Sequence, residues 1–180
     1  QADGDPRVSV DTALALAQTL NHPFSQALAL SFATWLHQFL GDIAKTRALS
    51  QMAVTLAEEQ GFLFWIGWGN VLRGWAASHE GDRAAGIAQI RRGLAEWRAQ
   101  GSELGGAYFL TLLADALARH GKVTEALDAL ADAQAFADKT HEHYWLAERH
   151  RLEGELLLTR GPAFEDSAEA LFFKARELAG

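Results

Sequence analysis

The sequence predicts an all-α protein built as a stack of helix hairpins, and three observations carry that expectation. First, 34 Ala and 26 Leu make up a third of the 180 residues, whereas Val and Ile number 5 and 4. Strong helix formers therefore dominate and the usual strand formers are scarce. Second, the prolines stand at 6, 23 and 162, which leaves 138 consecutive residues without a helix breaker. Third, Asn21, Gly41, Gly61, Gly81, Gly101, Gly121, His141 and Gly161 fall at every twentieth position. Gly, Asn and, less readily, His are the types that enter the left-handed conformation a helix adopts before a tight reversal. The series therefore reads as a row of helix ends.

The elements follow from those marks. A leading helix over 9–20 ends at Asn21, and Pro23 opens a second helix that runs to 40 and stops at Gly41. Asp42 stands in N-cap position for 42–60, and Gly61 closes it. The stretch 62–80 is rich in Phe and Trp. Asp82 caps 82–100, where Ile87, Ile90, Leu94 and Trp97 recur at helical spacing. Helices over 102–120 and 122–139 follow, the second with Val123, Leu127, Leu130, Ala133 and Ala137 on one face. The last two cover 142–160 and 164–179, with Asp166 and Glu169 at capping-box spacing. Paired, they give repeats 23–60, 62–100, 102–139 and 142–179 behind the leading helix. A single hairpin cannot bury its apolar stripe, but a stack can. The expectation is one domain over 1–180, a right-handed α-solenoid of about nine helices with a 40-residue period.

Composition excludes several function classes. Without cysteine there are no disulfides, thiolate zinc sites, Fe–S clusters or cysteine nucleophiles. The formal charge of −7, from 23 acidic and 16 basic residues, disfavours direct contact with nucleic acid. No apolar run approaches the ~20 residues of a membrane span, and the N-terminus lacks the pattern of a signal peptide, so the chain reads as soluble and cytoplasmic. It opens on Gln1 and its only methionine is Met52, which reads as a piece excised from a longer protein.

The third pair carries a size pattern: Leu110, Leu113, Ala114, Leu117, then Gly121, then Ala126, Leu130 and Ala133. It resembles the tetratricopeptide repeat, in which small residues let the two helices approach and large ones fill the space beside them. The second pair keeps the scheme loosely with Gly74, Gly81, Gly86, Ile90 and Gly93, and the fourth with Gly154, Leu157, Gly161, Ala168, Phe172 and Ala175. In the first pair Thr46 and Ser50 replace the small and large positions. The period exceeds the ~34 residues of that repeat and approaches the ~40–47 of HEAT and armadillo repeats, so the internal size pattern is what favours the tetratricopeptide class. Across 22–160, strings such as HPFSQALALSFATWLHQ and AEEQGFLFWIGWGNVLRGWA resemble the helical-repeat region of large bacterial regulators. There it follows a signal-transduction NTPase module, often behind a class III adenylate or guanylate cyclase or a DNA-binding domain. The resemblance implies a regulatory or partner-binding arm with no catalytic residues to carry over. No G-x-x-x-x-G-K-[ST] loop occurs, so NTPase or cyclase chemistry would lie elsewhere in the parent.

In the tetratricopeptide register the first helix of each pair lines a concave groove. Counting back from the turn glycines places Trp35, Gln38, Trp68, Val71, Trp75, Tyr108, Thr111, Asp115, Glu148, Arg151 and Glu155 there, an aromatic groove with a polar end. Such a surface suits an extended peptide or a helix. The same aromatics also suit packing between long helices, and Phe64 and Trp65 read as core. His143 and His150 are ~10 Å apart along a helix, too far to share a metal ion. No catalytic motif is present, and no cofactor is expected.

The expected function is a non-catalytic scaffold that binds a protein, a peptide or other domains of its own parent. Two alternatives stand beside it: a small-molecule effector arm using the aromatic groove, and a spacer that self-associates.

Overall fold

The computed structural model describes residues 6–180. Among them there is no strand, and nine α-helices follow one another in order. The helices form two compact units, 1–102 and 103–180.

The first unit holds α1 (Pro6–Leu20), α2 (Pro23–Phe39), α3 (Ile43–Gln60), α4 (Leu63–His79) and α5 (Arg83–Ala99). Each packs against the next, and α2 also touches α4. The turn residues behave as the twenty-residue series predicts. Asn21, Gly41, Gly61, Gly81 and Gly101 all have positive φ, between 46° and 116°. After Gly41 and Gly61 the chain closes the Schellman pattern, with Asp42 N donating to His37 O and Phe62 N to Ala57 O. Asp42 and Asp82 cap α3 and α5 through Lys45 N at 3.0 Å and Ala85 N at 3.3 Å. Sequence reading missed a third cap: His22 Nδ1 accepts from Ser25 N at the start of α2.

The α4–α5 hairpin is built on glycine. A Cβ on Gly74 would lie 2.7 Å from Gly86 O, and one on Gly93 would lie 2.7 Å from Val71 N. Gly67 faces Trp97 in the same way, so the helices run antiparallel with their backbones in contact at both ends. Ile90, Leu94 and Trp97 fill the remaining interface and are buried. Thr46 and Ser50, the departures from the size pattern, are buried too. Their hydroxyls donate to Asp42 O at the N-cap and to Arg47 O within the helix, so neither is left unsatisfied.

The second unit holds α6 (Gly106–Arg119), α7 (Val123–Thr140), α8 (Leu146–Leu158) and α9 (Glu165–Ala179), with a 3-10 turn at Pro162–Phe164 before α9. Neighbours pack in sequence, and α6 also touches α8. Gly121, His141 and Gly161 again have positive φ. The patterned residues Leu110, Leu113, Ala114, Leu117, Ala126, Leu130 and Ala133 are all buried.

Helix α1 begins at 6 rather than 9, and two further helix starts and one cap differ from the sequence expectation. Helix α6 begins at 106 rather than 102, because Gly105 sits at φ 82° and its N–H donates to the Glu142 carboxylate at 2.8 Å. Helix α8 begins at 146 rather than 142, since Glu142 is held in that loop contact. Asp166 is not an N-cap: it lies in the first turn of α9, where its charge still suits the helix dipole.

Candidate functional site

Helix α2 is amphipathic in an inverted sense. Its buried face carries Ala27, Leu30, Ser31, Ala33, Thr34, His37 and Gln38, small or polar for the most part. Its other face carries Phe24, Leu28, Phe32, Trp35 and Phe39, spaced by four, four, three and four residues, which is one helical stripe. Four of these are exposed: Phe24 at 48%, Leu28 at 39%, Phe32 at 44% and Phe39 at 44%. Trp35 is half-buried. Of the buried polar groups on this face, Ser31 Oγ and His37 Nδ1 have no hydrogen-bond partner. Thr34 Oγ1 donates to Leu30 O at 2.7 Å, and His37 Nδ1 lies 3.7 Å from the Asp42 carboxylate. Burial pulls the His37 pKa below its ordinary value, ahead of the Lys45 charge, which favours the neutral ring.

The stripe rests on the aromatic residues of α4. Trp35 meets Trp68 edge-on at 4.9 Å between ring centroids, and Phe32 lies 6.0 Å from Trp68 and 6.4 Å from Trp65. Phe64 meets Trp65 edge-on and Trp68 at a tilt, Phe24 meets Phe62 at 5.6 Å, and Phe39 meets Trp35 at 5.6 Å. These separations lie in the favourable range for aromatic pairs, so the exposed rings are backed by a rigid platform. On the other side of Phe32 an apolar cleft of about 460 Å³ runs between α1 and α2, walled by Leu16, Leu20 and Leu28.

The expected groove residues divide between the two units. In the first, Trp35 and Trp68 are brought together, but Trp68 is fully buried and only Trp35 reaches the surface. Trp75 is also buried, with its ring against His79 at 4.1 Å, and Gln38 and Val71 are buried with it. In the second unit Tyr108 and Thr111 are buried, and Tyr108 packs edge-on to Trp145 at 4.9 Å. Burial raises the Tyr108 phenol well above its ordinary range. The reading of Trp68, Trp75 and Tyr108 as an open aromatic groove is therefore corrected to core packing, the alternative the sequence left open. The polar end does assemble. Arg151 binds both carboxylate oxygens of Glu148 at 2.7 Å, and its remaining amine reaches Glu155. Asp115 pairs with Arg119 at 3.1 Å, and its charge also acts on Arg151. The hydrogen bonds to Glu148 come first in raising the Arg151 pKa. Two of its carboxylate partners are thus already neutralised, which leaves this cluster a surface network with little pull on a ligand.

Sequence reasoning passed over Phe24, Phe32 and Phe39. Their stripe is legible in the spacing, but a large apolar stripe ordinarily marks the face that a helix buries.

Among the described residues no three His, Asp or Glu side chains converge where they could hold a metal ion. Nor is any helix there long and apolar enough to cross a membrane. No family model matches this chain, and no curated protein is significantly similar to it.

Proposed function

We propose that this chain is a non-catalytic protein-interaction module, with the exposed stripe of α2 as its docking face. One observation carries the reading: α2 turns Phe24, Leu28, Phe32 and Phe39 to solvent while it buries Ser31, Thr34 and His37. An exposed apolar stripe continuous with an apolar cleft is costly in water, and such patches mark surfaces that a partner covers. The stripe's spacing and the α1–α2 cleft fit an amphipathic helix laid along α2. The right-handed tetratricopeptide-like solenoid, the role as a regulatory arm of a larger bacterial signalling or transcription-regulating protein, and a cytoplasmic location belong to the same proposal. The left-handed turns at every twentieth residue and the buried size pattern of α6 and α7 support the solenoid.

The test is a selection of displayed helical peptides against the parent protein, with binding remeasured on Phe32→Glu and Phe39→Glu. Peptides with apolar residues at i, i+3 or i+4, and i+7 are expected, bound at least about tenfold more weakly by the variants. Peptides that bind the variants equally well would overturn the docking face. Self-association through the same stripe is separated by light scattering across concentration. A second reading, an effector-sensing arm, draws on an apolar cavity of about 370 Å³ among α1, α2 and α3, lined by Leu14, Leu30 and Leu56. That is within the size range of small-molecule sites. A thermal-shift screen with apolar metabolites tests it, and a flat response would remove it.

A further inference from the structure

A second groove lies between α3 and α5 and is floored by α4. It shares no residue with the α2 stripe, and its volume is about 1200 Å³. Alanines at 44, 48, 85 and 88 keep its walls low, while the floor carries a cation held in an unusual way.

Arg73 rises from α4 at the bottom of this groove and is half-buried. Three amides, one from each helix, orient its guanidinium. Nη1 donates to Gln51 Oε1 of α3 at 3.0 Å, and Nη2 donates to Asn70 Oδ1 of α4 at 3.0 Å. Gln89 of α5 completes the set: with its oxygen facing the arginine, it accepts from Nη2 at 2.7 Å and also from Nε. The opposite orientation would set amide donors against guanidinium donors. All three acceptors are neutral, so they fix the direction of the guanidinium without cancelling its charge. Among the described residues no carboxylate bonds the guanidinium directly: Glu58 and Glu96 act on it only through their charge, and Glu96 and Glu80 are bonded elsewhere. Glu96 accepts from Asn70 Nδ2 at 2.7 Å and lies 3.7 Å from Arg92, and Glu80 is paired with Arg47 at 2.6 Å.

We propose that this groove binds a ligand through a single oxyanion, carboxylate or phosphate, held by Arg73 with Arg92 on the adjoining wall. A cation that is partly withdrawn from water ordinarily has an anionic partner, and charge-assisted bonds from a guanidinium to an oxyanion are the strongest available here. Burial, followed by the Arg92 charge, lowers the Arg73 pKa. An anion arriving between the two arginines relieves both effects. The carboxylates Glu80 and Asp82 line the same groove and repel a polyanion, so a ligand with one anionic group fits where nucleic acid does not. The site was not legible in sequence, because Gln51, Asn70, Arg73 and Gln89 belong to three helices and form no local motif.

The experiment titrates the folded chain with inorganic phosphate and, separately, with acetate, at constant ionic strength balanced by chloride. The readout is the arginine Nε–H region of ¹⁵N-correlated spectra. A saturable shift of the Arg73 resonance with a Kd in or below the millimolar range is expected. Saturation by phosphate alone assigns a phosphate-bearing ligand, by acetate alone a carboxylate, and by both a general oxyanion site. Arg73→Gln should weaken the affinity, read from the surrounding amide resonances, by about tenfold or more. Arg92→Gln, at an exposed position on the groove wall, tests the same site without touching the floor and should weaken it several-fold. The proposal is overturned if neither probe saturates by about 100 mM, or if the folded variants bind as the parent does.

Discussion

Replacing Gly86 by alanine tests the backbone contact that defines the α4–α5 hairpin. The new Cβ would lie 2.6 Å from Ser78 N, 2.7 Å from Gly74 O and 2.8 Å from Ser78 Cβ. Ordinary contact requires about 3.5 Å or more, so the helices must part locally by roughly 0.8 Å. Two of the three obstructing atoms are backbone, and no rotamer change relieves them. A radial gap of that size forfeits between about a quarter and a half of each dispersion contact along the seam, which includes Ile87 and Ile90. That places the cost near the top of the ~1–3 kcal/mol range for overpacking. Alanine's better helix propensity returns about 1 kcal/mol, so the net destabilisation is about 2 kcal/mol. Gly93→Ala should behave alike, since its Cβ would meet Val71 N at 2.7 Å and Gly67 O at 2.8 Å. The double variant should cost less than the sum, because one opening of the seam relieves both clashes. Urea unfolding followed by tryptophan fluorescence is the assay, as five of the six tryptophans lie in 1–102. With an m-value of ~1–3 kcal/mol per molar urea, the midpoint should fall by about 1 M. Ala84→Gly, at an exposed position of the same helix, supplies the propensity reference of about 1 kcal/mol. If Gly86→Ala proves as stable as the parent or more so, the close-contact argument is refuted.

Two further outcomes follow from the capping and titration geometry. Asp42→Ala removes the acceptor for Lys45 N and should destabilise the first unit by about 1 kcal/mol, whereas Asp42→Asn, which keeps an oxygen there, should cost less; paired urea titrations measure both. In the second unit, His150 is buried and its Nδ1 accepts from Arg149 Nη1 at 2.8 Å, and Arg149 itself donates to Leu130 O and pairs with Glu153. Burial, with the charges of Arg149 and Lys174, pushes His150 from 6.5 down to about 4. The unfolded chain therefore takes up a proton below pH 6.5 that the folded chain refuses. The contribution is complete above pH 6.5 and is lost as the pH falls to about 4, by up to roughly 3 kcal/mol. Unfolding followed by circular dichroism at pH 7 and pH 4.5 should show a smaller loss for His150→Gln than for the parent. An equal loss would exclude His150 as the source.

The helical class, the number of helices among the described residues and most of their ends were legible in the sequence. Those features are local: left-handed turn residues at 21, 41, 61 and onward stop a helix whatever it packs against, and Asp42 and Asp82 cap within one turn. Even the core of α6 and α7 was legible, because alternating small and large residues encode how closely two neighbouring helices approach. The tertiary structure decided which face of each helix is buried. On α2 the larger apolar stripe is the exposed one, since the smaller face of Ala27, Ser31 and Thr34 gives the tighter helix contact. On α4 the tryptophans that counting placed in a groove are enclosed instead, and close glycine contacts with α5 fix that arrangement. The Arg73 site lay wholly beyond sequence reading, for a guanidinium held by amides from three helices exists only once those helices are packed.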